Sequence, residues 1–416
     1  GASLQTENLW VKCDQCGASR SMAQAFGTAG EQNLPRCRGR HAHLDDRWDE
    51  DCDDPAKAVL LGATNSWFPI KLSALAIPVG ASPLQQLLLD GAEYFDDAES
   101  EAEVKGTLKA LKRSGGLPGI ENFEAAEIWA AIEAKRAGDD GDDDSQADIK
   151  GPEWRVLTDP NPPSDWPDFL SEKVDTPPRF KDAFSRVLLL PRLREVNALL
   201  GFTRVEAPEE DAAEEDRTPM AQLSRGAADW VPAGEVRGEG IFIQFDEEAL
   251  ATWSKRDSVI ARQELLLRGH RGWRMSRQLT PDTNFAGVRY AMIHTLSHLL
   301  IRELALECGY NAASIRERIY ARVDGEDKQA GLLIYTAAAD SDGTLGGLVD
   351  LGKPESFGRL LRQALHRASI CSSDPLCADH NPAKDRSLHA AACHACSFVS
   401  ETACELQNRY LDRALV

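Results

Sequence analysis

Cysteine placement constrains this chain more than any other feature. Nine of its ten cysteines fall into two groups at opposite ends, and each group contains a Cys-x-x-Cys pair. Cys13 and Cys16 are followed by Cys37 and Cys52; Cys393 and Cys396 are preceded by Cys371 and Cys377 and followed by Cys404. Two residues between thiolates let one tight turn aim both sulfurs at a single tetrahedral ion. The spacing predicts two structural zinc sites, one near each end. The first is zinc-ribbon-like and uses Cys13, Cys16, Cys37 and Cys52, with His41 or His43 as an alternative ligand. The second uses Cys377, Cys393, Cys396 and Cys404. Cys371 is a substitute for Cys377, and His380, His389 and His394 are nearby alternatives.

The rest of the sequence bounds what such a chain can do. Its 416 residues suffice for two or three domains with real cores. No run of about 18 apolar residues occurs, so no membrane span is expected. The chain opens Gly1-Ala2-Ser3, with neither an initiator Met nor a signal-peptide core, which reads as a trimmed start. Cys-x-x-Cys pairs without a secretory signal favour reduced thiolates and a cytoplasmic location. Net charge is −20, and residues 231–416 hold 22 basic against 24 acidic side chains, so the first half carries nearly all of the excess. Acidic surface repels phosphate backbones, which argues against a broad DNA-binding face there.

The fold class expected is mixed α/β (α+β) with several domains. Residues 1–80 read as the zinc-ribbon-like module with strands. Residues 81–219 read as a helical region carrying an acidic linker at 138–150 and an acidic run at 206–216, both solvated. Its clearest helix is Phe123 to Ala137, N-capped by Asn122. Residues 220–416 read as an α/β domain ending in the four-cysteine site. Within it, Gly240 to Phe245 is a buried strand, and Glu247 to Arg268 and Asn284 to Cys308 are helices, the latter stopped by Gly309. Ile315 to Ala321 and Gly331 to Ala337 pair across Asp324-Gly325, and the helix Ser356 to Ile370 delivers the chain to Cys371.

Three further features admit a functional reading beside a plain one. His294-Thr-Leu-Ser-His298 places two imidazoles on one helical face at zinc-peptidase spacing, but Thr295 stands where the general-base Glu would be. Buried, hydrogen-bonded histidines are the plain reading; a metal-dependent nuclease is the alternative. Gly343-Thr-Leu-Gly346-Gly347 follows a strand and can cradle phosphate or simply allow tight packing. Arg268, Arg271, Arg274 and Arg277, around Trp273, offer phosphate contacts and a stacking ring, or are ordinary solvated charge at a helix end.

Together these pieces resemble the DrmB family, an accessory component of DISARM anti-phage defence. The resemblance rests on Cys13-Asp-Gln-Cys16-Gly17, Leu34-Pro-Arg-Cys37-Arg-Gly39, Gly62-Ala-Thr-Asn65-Ser-Trp-Phe68-Pro69 and Val231-Pro-Ala-Gly-Glu235-Val-Arg237-Gly-Glu239-Gly240. It continues through His294-Thr-Leu-Ser-His298 and the closing Cys393-His-Ala-Cys396, Glu401-Thr-Ala-Cys404 and Asn408-Arg409-Tyr-Leu411-Asp412-Arg413. The C-terminal part looks like the four-cysteine domain also carried by MrfA-type DNA-repair helicases or their companions. The resemblance implies a non-catalytic subunit that joins a DrmA-like superfamily 2 helicase. Double- or single-stranded DNA would be bound through that complex. A free-standing DNA-binding zinc protein is the remaining alternative, disfavoured by the acidic balance.

Overall fold

The computed structural model describes residues 10–21, 42–44, 67–77, 84, 87–88, 91–95, 98, 100–139, 148–160, 166–203, 220–221, 223–226, 230–277, 279–323, 328–336, 347–385 and 387–416. The chain divides into two compact units, Gly1–Ser73 with Val196–Glu235, and Ala74–Glu195 with Val236–Val416. Cys37, Cys52 and His41, the acidic stretch 206–216 and most of the 343–347 glycine loop lie outside the described residues.

The first unit contains a small antiparallel hairpin, β1 (Trp10–Lys12) and β2 (Ser19–Ser21). Its turn holds Cys13 and Cys16, and Gly17 takes φ 71°, a conformation that favours glycine. The unit also includes most of β3 (Phe68–Leu75). Phe202 packs against the rings of Trp67 and His43, at centroid distances of 4.6 and 4.8 Å.

The second unit is organised by a sheet with both faces covered. Its strands are β4 (Phe169–Val174), the part of β5 (Phe184–Thr203) up to Glu195, the part of β6 (Ala233–Phe245) from Val236, β7 (Ile315–Tyr320) and β8 (Gly331–Thr336). They lie in the order β5, β6, β8, β7, and β4 pairs with β5. The pairs β4/β5, β6/β8 and β7/β8 are antiparallel. The expected pairing of Ile315–Ala321 with Gly331–Ala337 is therefore the β7/β8 hairpin. Burial on two sides explains runs such as Val187-Leu-Leu-Leu190 and Leu332-Leu-Ile-Tyr335, apolar at every position. Alternate residues serve different cores. Leu189, Ile241, Ile243, Leu332 and Ile334 join the larger core, whereas Leu188, Leu190, Phe242, Leu333 and Tyr335 face the other one.

Helix α3 (Lys150–Thr158) supplies Trp154, Val156 and Leu157 to that second core. Two earlier helices, α1 (Glu101–Ser114) and α2 (Ala125–Asp139), build a separate small core with Val104, Leu108, Ile128 and Ile132. Here the expected Asn122 cap gives way: Asn122 closes a short 3-10 turn, and the Glu124 amide donates instead to the Glu127 carboxylate at 2.9 Å. The expected helical middle also ends sooner than its composition suggests, since β4 and β5 occupy residues 169–203.

The larger core is closed by helices. The segment expected as one helix from Glu247 splits into α4 (Glu247–Trp253) and α5 (Asp257–Met275). Asp246 caps α4 by accepting from the Ala249 amide, and Ser254 turns its hydroxyl back to the Ala251 carbonyl. Central to the unit is α6 (Gly287–Cys308), buried at every position from Ala291 to Ile301 and terminated by Gly309 at φ 70°. A helix apolar on all sides belongs inside, and α6 lies there. After β8 come α7 (Gly347–Leu351) and α8 (Pro354–Ala368), whose Phe357, Leu360, Leu361 and Ala364 face α6's core.

Candidate metal centres

The end of α8 leads directly into the first centre. Beyond Ala368 the chain turns through Ile370 and points Cys371 inward, and Cys377 follows six residues later. The second pair comes from a tight knuckle in which the amides of Ser397 and Phe398 donate to the Cys393 carbonyl at 2.9 and 3.0 Å. This geometry turns Cys393 and Cys396 the same way. The sulfur separations are 3.5 Å for Cys371–Cys393, 3.6 Å for Cys377–Cys396 and 3.7 Å for Cys393–Cys396. A tetrahedron with zinc–sulfur bonds near 2.3 Å has edges of about 3.8 Å, so these four sulfurs sit almost at the corners one ion requires. None of them is in a disulfide.

Surrounding donors suit bound thiolates. Ser397 Oγ donates to Cys396 Sγ at 3.2 Å and the Ser373 amide to Cys371 Sγ at 3.4 Å. Burial opposes ionisation of Cys393, but hydrogen bonds from the Cys396 backbone and from Cys371 outweigh it and bring this thiol down to about 7. Burial pushes the Cys377 thiol up, against a hydrogen bond from Arg413. Arg413 is in turn fixed by the Ala368 carbonyl at 2.8 Å and by Asp374 at 2.5 Å. From α6, Arg302 caps the knuckle by donating to the carbonyls of Ala395 and Phe398, both at 3.0 Å.

The membership of this set differs from the one expected. Cys371 takes part, and Cys404 does not. After the knuckle the chain runs along α6, carrying Cys404 to the face that bears His294 and His298. His380, His389 and His394 also stay outside: His380 bonds to Ser387 at 2.7 Å and stacks on the His389 ring.

Cys404 belongs to a second buried group with His294, His298 and Glu317, whose ligand-type atoms lie within 4.8 Å of one another. His294 Nε2 stands 3.2 Å from Cys404 Sγ and 2.9 Å from Glu317 Oε1; His298 Nε2 stands 3.3 Å from the same oxygen. The two imidazoles share a face because four residues make one helical turn. Glu317 arrives by strand alternation. In Ile315-Arg-Glu-Arg-Ile-Tyr320 the odd positions face α6, while Arg316 and Arg318 turn to Glu195 and Glu153 on the other side. A carboxylate between Ile315 and Ile319 on a buried strand face was the available sequence signal for this site. Burial favours the neutral forms here, but mutual attraction prevails. Glu317 is held well below the usual carboxylate range by the two imidazoles, and His294 well above the usual imidazole range by Glu317 and Cys404.

At the amino end, the Cys13 amide donates to the Ala18 carbonyl at 2.8 Å and the Gly17 amide to the Cys13 carbonyl at 2.9 Å, forming a knuckle with both thiols exposed. Amides of Cys16 and Gln15 lower the Cys13 thiol.

The basic stretch runs along α5 and just past its end, and its arginines diverge. Arg274 is 3% exposed and donates to the Thr280 carbonyl at 2.5 Å, so it cannot serve as the phosphate contact its sequence setting suggests. Arg271 pairs with Asp282 at 2.5 Å, and Arg277 lies over the Trp273 ring at 3.9 Å. Arg268 is open to solvent, with its side chain 58% exposed and Glu264 3.9 Å away. The amides that start α7 are also engaged: Leu348 and Val349 donate to the fully buried Glu239 carboxylate at 2.9 and 3.2 Å. These amides therefore bind a side chain of the protein itself, not a phosphate.

Four convergent cysteines closing off the second unit define a zinc-binding protein, and sequence comparison agrees. Residues 296–397 match the MrfA Zn-binding domain, a stretch that contains Cys371, Cys377, Cys393 and Cys396. Residues 1–68 match a domain of unknown function, DUF8724. Across its whole length the chain is 34% identical to the DISARM protein DrmB of Bacillus paralicheniformis, over 423 aligned residues and 73% of that protein. The chain belongs to the DrmB family. Among solved structures, the DUF1998 helicase MrfA bound to DNA aligns with 52% of this chain and 23% of its own, at 9% identity and a TM-score of 0.26. No helix among the described residues is long and apolar enough to cross a membrane.

Proposed function

We propose that this chain is a non-catalytic subunit of a DISARM anti-phage defence complex. It joins a DrmA-like superfamily 2 helicase and engages double- or single-stranded DNA through that assembly. The observation that carries this reading is the relationship to DrmB, which extends over the entire chain. Zinc would act structurally, held by Cys371, Cys377, Cys393 and Cys396 at one end and by Cys13, Cys16, Cys37 and Cys52 at the other. The nuclease alternative needs substrate at His294 and His298, but both imidazoles have no exposed surface. A lone DNA-binding protein is disfavoured by the net charge of −20, because counterion-driven binding needs cationic surface.

Co-expression with a DrmA-like helicase, followed by pull-down and crosslinking to labelled DNA, tests the proposal. The expected result is a stable complex whose ATPase activity resides in the helicase. DNA-stimulated ATP hydrolysis or strand cleavage by this chain alone would refute it, as would failure to retain the helicase.

A further inference from the structure

We infer that His294, His298, Glu317 and Cys404 form a second, closed metal centre for a zinc-like divalent ion, distinct from the four-cysteine site. The matched Zn-binding domain spans 296–397 and so includes neither His294 nor Cys404. The four side chains come from three places, α6, β7 and the loop after Val399, and converge in the interior of the fold.

Hydrogen bonding points to an ion. The His298 Nδ1–H faces the Ser397 carbonyl at 2.9 Å, which leaves the Nε2 lone pair directed at the cluster. Metal-bound histidines are characteristically held in this way, with the far nitrogen fixed by a carbonyl. His294 Nε2 lies within reach of both Cys404 Sγ and Glu317 Oε1, yet one N–H cannot point at both. An ion between the three atoms satisfies them together. Glu317 Oε2 has no hydrogen-bond partner among the described residues and is fully buried, so the carboxylate retains coordinating capacity.

The surroundings supply the rest of such a site. The Asn408 amide donates to Cys404 Sγ at 3.1 Å and the Glu405 amide to Glu317 Oε1 at 3.1 Å. Asn408 is itself clamped to Val399 by a 3.0 Å and a 3.1 Å bond, and the loop takes positive φ at Gln407, Asn408 and Tyr410. Such a conformation is uncommon for residues other than glycine, and here it occurs in the turn whose Asn408 amide reaches Cys404. The N···O and N···S separations of 2.9, 3.3 and 3.2 Å are at or up to about 0.4 Å inside the edges, about 3.3–3.6 Å, of a tetrahedron with bonds of 2.0–2.3 Å, so a small outward shift of His294 would admit the ion. Two nitrogens, one oxygen and one sulfur fill four positions, and His294, His298 and Glu317 have no exposed side-chain surface, which leaves little room for a water ligand. The role is structural. Ser397 touches both centres, with its carbonyl on His298 and its hydroxyl on Cys396.

Elemental analysis of the full chain, in a Cys13→Ser/Cys16→Ser background that removes the amino-terminal knuckle, tests the assignment. Wild-type residues elsewhere should give two zinc ions per chain. Cys404→Ala should lose one, Cys393→Ser should lose one, and the combination should lose both. X-ray absorption at the zinc edge, on protein with every second-unit ligand intact, should show imidazole and sulfur scatterers together. An unchanged zinc count in Cys404→Ala would overturn the inference. So would a sulfur-only shell, which decides the matter even if the variants fail to fold.

Discussion

Glu153 is the side chain whose loss should be felt most in the second unit. It is 1% exposed and accepts four hydrogen bonds: from Arg318 Nε at 2.5 Å and Nη2 at 2.6 Å, from the Tyr320 hydroxyl at 2.9 Å and from the Leu75 amide at 3.0 Å. Burial and the adjacent carboxylate both push the Tyr320 hydroxyl upward, so it remains protonated and donates. Glu153→Ala removes the carboxylate from the Arg318 guanidinium, which is 6% exposed, and breaking such a pair costs about 3–5 kcal/mol. The orphaned amide and hydroxyl add roughly 1–3 kcal/mol each unless water enters the space left behind. The expected loss is at least about 4 kcal/mol. Replacing both partners, as in Glu153→Leu/Arg318→Met, should recover much of it, because the buried charge goes as well. Urea unfolding in zinc-containing buffer, followed by far-UV circular dichroism, provides the assay. A single-variant loss under about 1 kcal/mol, or a double variant no more stable than Glu153→Ala, would refute the reasoning.

Other predictions follow from the same geometry. In chelator-stripped protein, Cys393 should be alkylated before Cys377. Its thiolate population should rise as pH increases through about 7, and mass-mapped labelling between pH 6 and 8 checks this. Gly331→Ala should destabilise the β6/β8 pairing by about 1–3 kcal/mol, since a Cβ there would stand 2.5 Å from the Trp154 ring; thermal denaturation reads the effect. Arg274→Ala should lower the melting temperature, whereas Arg268→Ala should leave it within a degree or two and reduce DNA crosslinking in the helicase complex. Acidification should release zinc, because protons compete for thiolate and imidazole ligands, and a metal-sensitive dye reports the release.

How much of this was legible in the sequence depended on whether the information was local. The Cys-x-x-Cys knuckles, the antiparallel pairing of β7 with β8 and the stop of α6 at Gly309 are short-range signals, and the structure has them where the spacing places them. The choice between Cys371 and Cys404 was not local. It depends on which way the chain runs after Ser397, and that is set by Arg302 and His298 reaching from a helix about a hundred residues earlier. Glu317 was missed for a similar reason: the alternation of β7 is visible, but its facing helix is known only after packing. The arginines of α5 show the limit of charge counting. A cluster of like residues on one helix disperses round its axis, so Arg274 is inward and Arg268 outward. Of the long strands only Gly240 to Phe245 of β6 was read as a strand; β5 was obscured because a sheet covered on two sides loses the alternation by which a strand is usually recognised.

The distance along the chain between His294 and Cys404, 110 residues, has a bearing on biosynthesis. Translation is vectorial, so α6 emerges from the ribosome long before the loop that will cover its imidazoles. Until that loop arrives, the nascent protein exposes an oily helix bearing two histidines and no cysteine partner. This interval is the stage at which a chaperone would do most to keep the polypeptide from aggregating.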